Sequence, residues 1–227
     1  MFTKKYQIIA DVETANIEPS NTVDPHNSLV YDIGYVIADY SGNVVKSRSF
    51  IVADIFLGEN DRMNSAYYAD KIPSYITDII RGDKVVLPFK TIQNIINKDI
   101  NDYNIKVFNA FNSYFDFTAL NTTTQFLTGR TKFFNKYLVV WDIMAMARQV
   151  IYCKKSYKDF CKENSLLTAT NRISQRAESY YRFITNNTTF EETHKGLEDV
   201  KIETEIYKYC RKQKKRMIKE LFKADRK

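Results

Sequence analysis

Asp11 and Glu13 close a short apolar run, residues 6–12, and stand two positions apart. A brief run rich in Ile and Val reads as a buried strand. In a strand, side chains i and i+2 point to the same face, so the two carboxylates are neighbours. Paired on a buried sheet, two acids raise each other's pKa, and a divalent cation relieves that repulsion. An all-carboxylate donor set suits Mg²⁺ or Mn²⁺. The bland alternative is that Val12 faces the core and both acids are solvated.

Two later segments add acids and a histidine. Asn-Ser-Tyr-Phe-Asp spans 112–116, and His-Lys-Gly-Leu-Glu-Asp spans 194–199. Asp116 falls in the first turn of a helix expected over 113–127, where an acid is alternatively a partner of the helix dipole. Asn112 is alternatively a plain N-cap of that helix. His194 and Asp199 are five residues apart. On an ideal helix that offset is about 140° of azimuth, so the two do not share a helical face. If both serve one site, His194 lies on a mobile loop ahead of the helix, with Gly196 at the junction. Otherwise His194 is a surface histidine, and Glu191, Glu192 and Glu198 form a solvated acidic face.

Strands are expected at 6–12, 30–40, 44–52, 105–109 and 137–141. The turn Ser41-Gly42-Asn43 joins two of them as an antiparallel pair. Helices are expected at 88–100, 113–127, 143–151, 157–166 and 175–184, with a last one from Gly196 to about residue 209. A helical segment at 75–81 ends at Gly82. Residues 15–29 read as a loop, and 55–87 have no clear period. Alternating helices and strands in the second half imply crossover connections. The expected fold is therefore α/β, a five-stranded mixed sheet with helices on both faces and the first strand in the middle. The 227 residues are 44% hydrophobic, enough for one sizeable core over 1–210. Residues 211–227 read as a basic C-terminal helix or tail, with Arg211, Lys212, Lys214, Lys215 and Arg216 clustered. The net charge of +7 favours a polyanionic partner. Three cysteines without zinc spacing fit structural thiols in a reducing compartment. No signal peptide or membrane-length apolar run is evident, so the expected location is cytoplasmic, bacterial cytosol or that of a phage-infected host.

Taken in order, Asp-x-Glu-Thr, Asn-x-x-Phe-Asp and His-x-x-x-x-Asp resemble the three motifs of the DEDDh (DnaQ-like) 3′–5′ exonucleases. Tyr-Asp-Ile-Gly-Tyr-Val-Ile at 31–37 resembles the second strand of that family. Residues 141–148 resemble the segment after its fifth. The likeness covers about residues 6–209. It departs at Ala15-Asn16, where many members have glycine, and at 15–29 and 51–87. The resemblance implies a ribonuclease H-like fold and release of nucleoside 5′-monophosphates from DNA or RNA 3′ ends, single-stranded ones foremost. It implies two Mg²⁺ or Mn²⁺ ions, one held by Asp11, Glu13 and Asp199 and the second mainly by Asp11 with Asp116. His194 is then the general base, and Thr14, Ala15 and Asn112 border the terminal nucleotide. A polymerase or a second copy of the chain is the further partner to consider. The rival readings are a nucleic-acid-binding module on the same fold, or an accessory proofreading subunit acting through polymerase contact.

Overall fold

The computed structural model describes residues 5–20, 22–64, 66, 69–213 and 215–223. Six strands form one sheet: β1 (Tyr6–Asn16), β2 (Ser28–Asp39), β3 (Val44–Val52), β4 (Val85–Leu87), β5 (Val107–Ala110) and β6 (Val139–Asp142). Their order is β4-β3-β2-β1-β5-β6, with β1 inside the sheet as expected. β1, β2 and β3 run antiparallel, while β4, β5 and β6 pair in parallel with their neighbours.

The sheet has six strands rather than the expected five. The extra one, β4, is three residues long and lies between Gly82 and Pro88. So short a strand shows no alternation to read. It adds to the edge of β3, opposite Phe50, Ile51 and Val52. β1 also runs past its expected end. Beyond an irregularity between Glu13 and Thr14 it stays paired with residues 28–30. Strand β5 starts two residues late because Ile105 closes the preceding helix, donating to the Ile100 carbonyl at 2.9 Å.

The helices are α1 (Ala53–Phe56), α2 (Asn60–Asn64), α3 (Ile72–Arg81), α4 (Phe89–Asp102), α5 (Ser113–Thr128), α6 (Ile143–Ala147), α7 (Lys155–Glu163), α8 (Ala177–Thr185) and α9 (Gly196–Lys212). A π-helical turn, Arg148–Tyr152, extends α6. α3 ends at Gly82 in the left-handed region, as its sequence indicates. Helix α9 runs three residues beyond its expected end. Residues Lys219–Phe222 then fold back, burying Phe222 edge-on against Trp141. Lys214 and residues 224–227 of the basic segment lie outside the described residues.

Both faces of the sheet are covered. Ile8, Ala10 and Val12 of β1 join a core with α4 and α5, whereas Ile9 joins the core under α6 to α9. Strand alternation therefore turns Asp11 and Glu13 to the α9 side. Val12 does face a core, but so does the other side of the strand, and the acids are not solvated.

α9 reaches that side because two backbones touch. A Cβ on Gly34 of β2 would lie 2.0 Å from Leu197 N and 2.1 Å from Gly196 C. One on Gly196 would lie 2.6 Å from Gly34 N and 3.1 Å from the Asp11 carbonyl oxygen. No side chain fits at either place. Gly34→Ala is expected to lower stability by about 1–3 kcal/mol, the usual cost of overpacking a dense core. Denaturant titration of the two proteins measures it, and an unchanged midpoint would show that the helix start yields freely.

Candidate active site

One cavity of about 860 Å³ opens at the end of β1 and is bordered by Asp11, Glu13, Asp116, His194 and Asp199. These residues come from three distant parts of the chain. β1 supplies the first two on one face. Asp116 comes from the first turn of α5 and is tied to β1, its Oδ1 accepting from the Val12 amide at 3.2 Å. Asp199 lies in the first turn of α9, and His194 precedes that helix, as the azimuth requires. Donor atoms of Glu13, His194 and Asp199 lie within 4.8 Å of one another.

The other expected positions divide. Thr14 and Asn112 border the cavity. Asn112 starts α5 in the left-handed region, φ 65°, and makes no side-chain capping bond, so it is not a plain N-cap. Its amide instead donates to Asp142 Oδ1 at 3.1 Å. Ala15, by contrast, is fully buried with its methyl in the core and does not border the cavity.

Two loops that carry site residues hold non-glycine residues at positive φ, Asn112 and His194 (φ 54°). Such conformations persist when their surroundings over-determine them. Around His194 the restraints are visible. The Tyr75 hydroxyl donates to Asp32 Oδ2 at 2.9 Å and also reaches the His194 carbonyl at 3.3 Å. The Gly196 amide donates to Asp32 Oδ2 at 3.1 Å, and Lys84 Nζ does so at 3.0 Å. Lys195 pairs with Asp78 of α3. The expectation of a mobile loop thus meets a backbone tethered at three successive residues. The tethers come from Tyr75 and Asp78 of α3 and from Asp32 of β2.

The electrostatics are those of crowded acids. Burial, then Asp116, raises the Asp11 carboxyl well above its usual range. Burial, then Asp11 and Asp199, does the same for Glu13. Asp116 is pushed up to about 8 by burial, against the Val12 amide that favours its charge. Asp199 is pushed up to about 9 by burial, then by Asp11. His194 moves the other way: burial, then the Lys71 charge, lowers it, which keeps its ring neutral at neutral pH. Arg176 is the one Lys or Arg side chain on the cavity wall among the described residues.

Besides Glu178, three acids given no site role by the sequence lie on or beside this wall. Glu192 borders the cavity and is raised to about 7 by burial, then by Glu178, so it is not part of a solvated face. Asp32 is wholly buried beside Glu13, its cross-strand partner. The third, Glu203, borders the cavity at 3% exposure. Signals existed for two of them. Asp32 interrupts an otherwise apolar strand, and Glu203 falls on the buried stripe of α9 with Val200, Ile206 and Tyr207.

The donor set fits hard divalent cations. Asp11 Oδ2 and Glu203 Oε2 are buried without a hydrogen-bond partner among the described residues. A buried carboxylate oxygen left unpaired is costly unless a proton or a cation satisfies it. Asp11, Glu13, Asp116 and Asp199, all on the cavity wall, could hold such ions.

Comparison with known proteins is consistent with this geometry. No protein-family model and no curated protein sequence matches the chain. Solved structures do. The nuclease domain of 3′hExo, described as a DEDDh family member bound to rAMP, superposes with a TM-score of 0.55 at 13% identity, covering 99% of this chain and 98% of that one. A 3′-exonuclease recognising a histone mRNA stem-loop gives 0.55 at 10% identity, with coverage of 94% and 84%. E. coli Exonuclease I in complex with a dT13 oligonucleotide gives 0.55 at 9% identity; the chain covers 93% of itself but only 41% of that enzyme. The chain has the ribonuclease H-like fold of the DEDDh 3′-exonucleases. No helix among the described residues is long and apolar enough to cross a membrane.

Raised carboxylate pKa values carry a sign for stability. Without metal, the folded chain keeps protons that the unfolded chain releases above about pH 4. The stability linked to these groups is present below that pH and is lost as pH rises toward the folded values of about 8 for Asp116 and about 9 for Asp199. In EDTA the melting temperature is expected to be lower at pH 8.5 than at pH 6. Mn²⁺ should raise it more at pH 8.5, where fewer protons compete for the carboxylates. Thermal melts at the two pH values check this, and a metal-free protein more stable at pH 8.5 would contradict it.

Proposed function

We propose that this chain is a metal-dependent 3′–5′ exonuclease that hydrolyses phosphodiester bonds at the 3′ end of DNA or RNA and releases nucleoside 5′-monophosphates. The observation that supports it most is the convergence of Asp11, Glu13, Asp116, Asp199 and His194 on one cavity within this fold. A binding module on the same fold has no use for so many buried acids, each of which weakens the metal-free protein.

In this reading the terminal nucleotide enters the cavity beside Thr14 and Asn112. Phe111 and Phe115 are the aromatic rings on its wall besides His194, and they offer faces on which a base can stack. Arg176 pairs with a backbone phosphate. Glu13 and Asp199 would hold one cation, Asp11 would bridge, and Asp116 would serve the second. When bound, the two cations supply Lewis-acid activation of water and charge stabilisation at the departing 3′ oxygen. His194, neutral before the reaction, accepts the proton of the attacking water. Its restrained backbone and the nearby Glu13 and Asp199 oxygens fix where that proton goes.

The basic C-terminal segment is proposed to add phosphate contacts, though not through every residue. Lys215 Nζ already donates to the Gln149 carbonyl at 2.6 Å and to Cys153 Sγ at 3.0 Å. That lysine fastens the segment to the domain.

The test is digestion of 5′-labelled DNA and RNA oligomers with Mn²⁺ and with EDTA. A ladder shortening from the 3′ end, only with metal, is expected. Asp11→Asn and Asp199→Asn should abolish it. His194→Ala should slow it by about 10²–10⁴-fold, the contribution of a positioned base. The acidic limb of the pH–rate profile should disappear in that variant. Full activity in Asp11→Asn, or cleavage that ignores EDTA, would reject the reading.

A further inference from the structure

Glu203 lies one helical turn after Asp199, so the two side chains leave α9 on the same face. It is 3% exposed and borders the cavity. Its Oε2 has no hydrogen-bond partner among the described residues. The Phe111 backbone amide favours the charged form of its carboxylate. After burial, the charges that act on it most strongly are Asp11 and Asp116. Nothing in the DEDDh-like motifs of this chain calls for an acid at this position.

Glu13 and Asp199 converge with His194. Glu203 instead feels Asp11 and Asp116 most, and Asp11, whose strongest neighbouring charge is Asp116, also raises both Glu13 and Asp199. Asp11 Oδ2 and Glu203 Oε2, the partnerless oxygens of the cavity, are those a cation between Asp11 and Asp116 would satisfy. We infer that Glu203 is a fifth carboxylate of the cation site, holding a divalent ion together with Asp11 and Asp116, directly or through a water. Affinity for hard cations rises with the charge of the ligand set, so this site binds more tightly than four acids alone would. The inference rests on the metal-dependent reading above.

Calorimetric titration of Mn²⁺ into the EDTA-treated full chain tests it, with no activity measurement involved. Wild type is expected to bind two ions. Glu203→Gln should weaken one of them about 10- to 100-fold, the range for partners of a metal site, and leave the other unchanged. Its melting temperature in EDTA should equal or exceed that of wild type, because one repelling acid is gone. An isotherm identical to wild type in a folded Glu203→Gln protein overturns the inference and leaves the exonuclease reading standing. So does a lower metal-free melting temperature with unchanged affinity, which would make Glu203 a structural partner of Phe111. If Glu203→Gln does not fold by circular dichroism, Glu203→Asp takes its place. It keeps the charge and draws it back by one methylene, and the same loss of affinity is expected. No Mn²⁺ binding by wild type, or one ion that Asp11→Asn does not displace, overturns both readings.

Discussion

Everything at the site depends on how closely α9 can approach the sheet. Gly34 and Gly196 let two backbones meet where no Cβ has room. That contact sets the start of α9 against β2, directly beside β1. Asp199 then projects from its first turn toward Asp11 and Glu13, and His194 is carried over the same cavity. Residues almost two hundred positions apart share one site through a contact that has no side chains at all. The buried Asp32 then secures the junction by accepting from the Gly196 amide, Tyr75 and Lys84. A carboxylate held by a lysine and two other donors is a positional fastener. Its removal would leave the buried lysine only the Ser49 hydroxyl at 3.1 Å and Glu198 at 3.6 Å, a large cost.

The second constraint is charge. Local choices in a protein usually agree with its fold, and disagreement concentrates at functional sites. Here the disagreement is a set of acids that burial and mutual repulsion press toward the neutral form. The unfolded chain would ionise them freely. The left-handed backbone at Asn112 and His194 adds further cost at the same place. A fold that tolerates both features gains in stability from any cation that enters, so metal affinity and stability are linked.

Much of this was legible in the sequence because it rests on local pattern. The apolar run before Asp11, the turn at Gly42, the Gly82 stop of α3 and the Gly196 junction each have a local cause. So has the five-residue offset that puts His194 ahead of α9. What escaped was tertiary. β4 is too short to show a period, and the tethers at 194–196 come from Tyr75, Asp78 and Asp32, whose roles exist only once the chain is folded. Glu203 falls in none of the motifs and was not singled out in the sequence. Its place on the stripe with Val200 and Ile206 was a signal that the helix phase alone contained. Gly34 was visible as part of the second strand, but its reason, a backbone neighbour across space, was not.

The most direct measurement of the central claim is anomalous diffraction from crystals of the full chain soaked in Mn²⁺, recorded at the manganese edge. Two peaks are expected in the cavity, one flanked by Glu13 and Asp199 and one by Asp116, with Asp11 between them. Crystals that take up manganese only elsewhere on the surface, with the cavity acids still unliganded, would contradict the account.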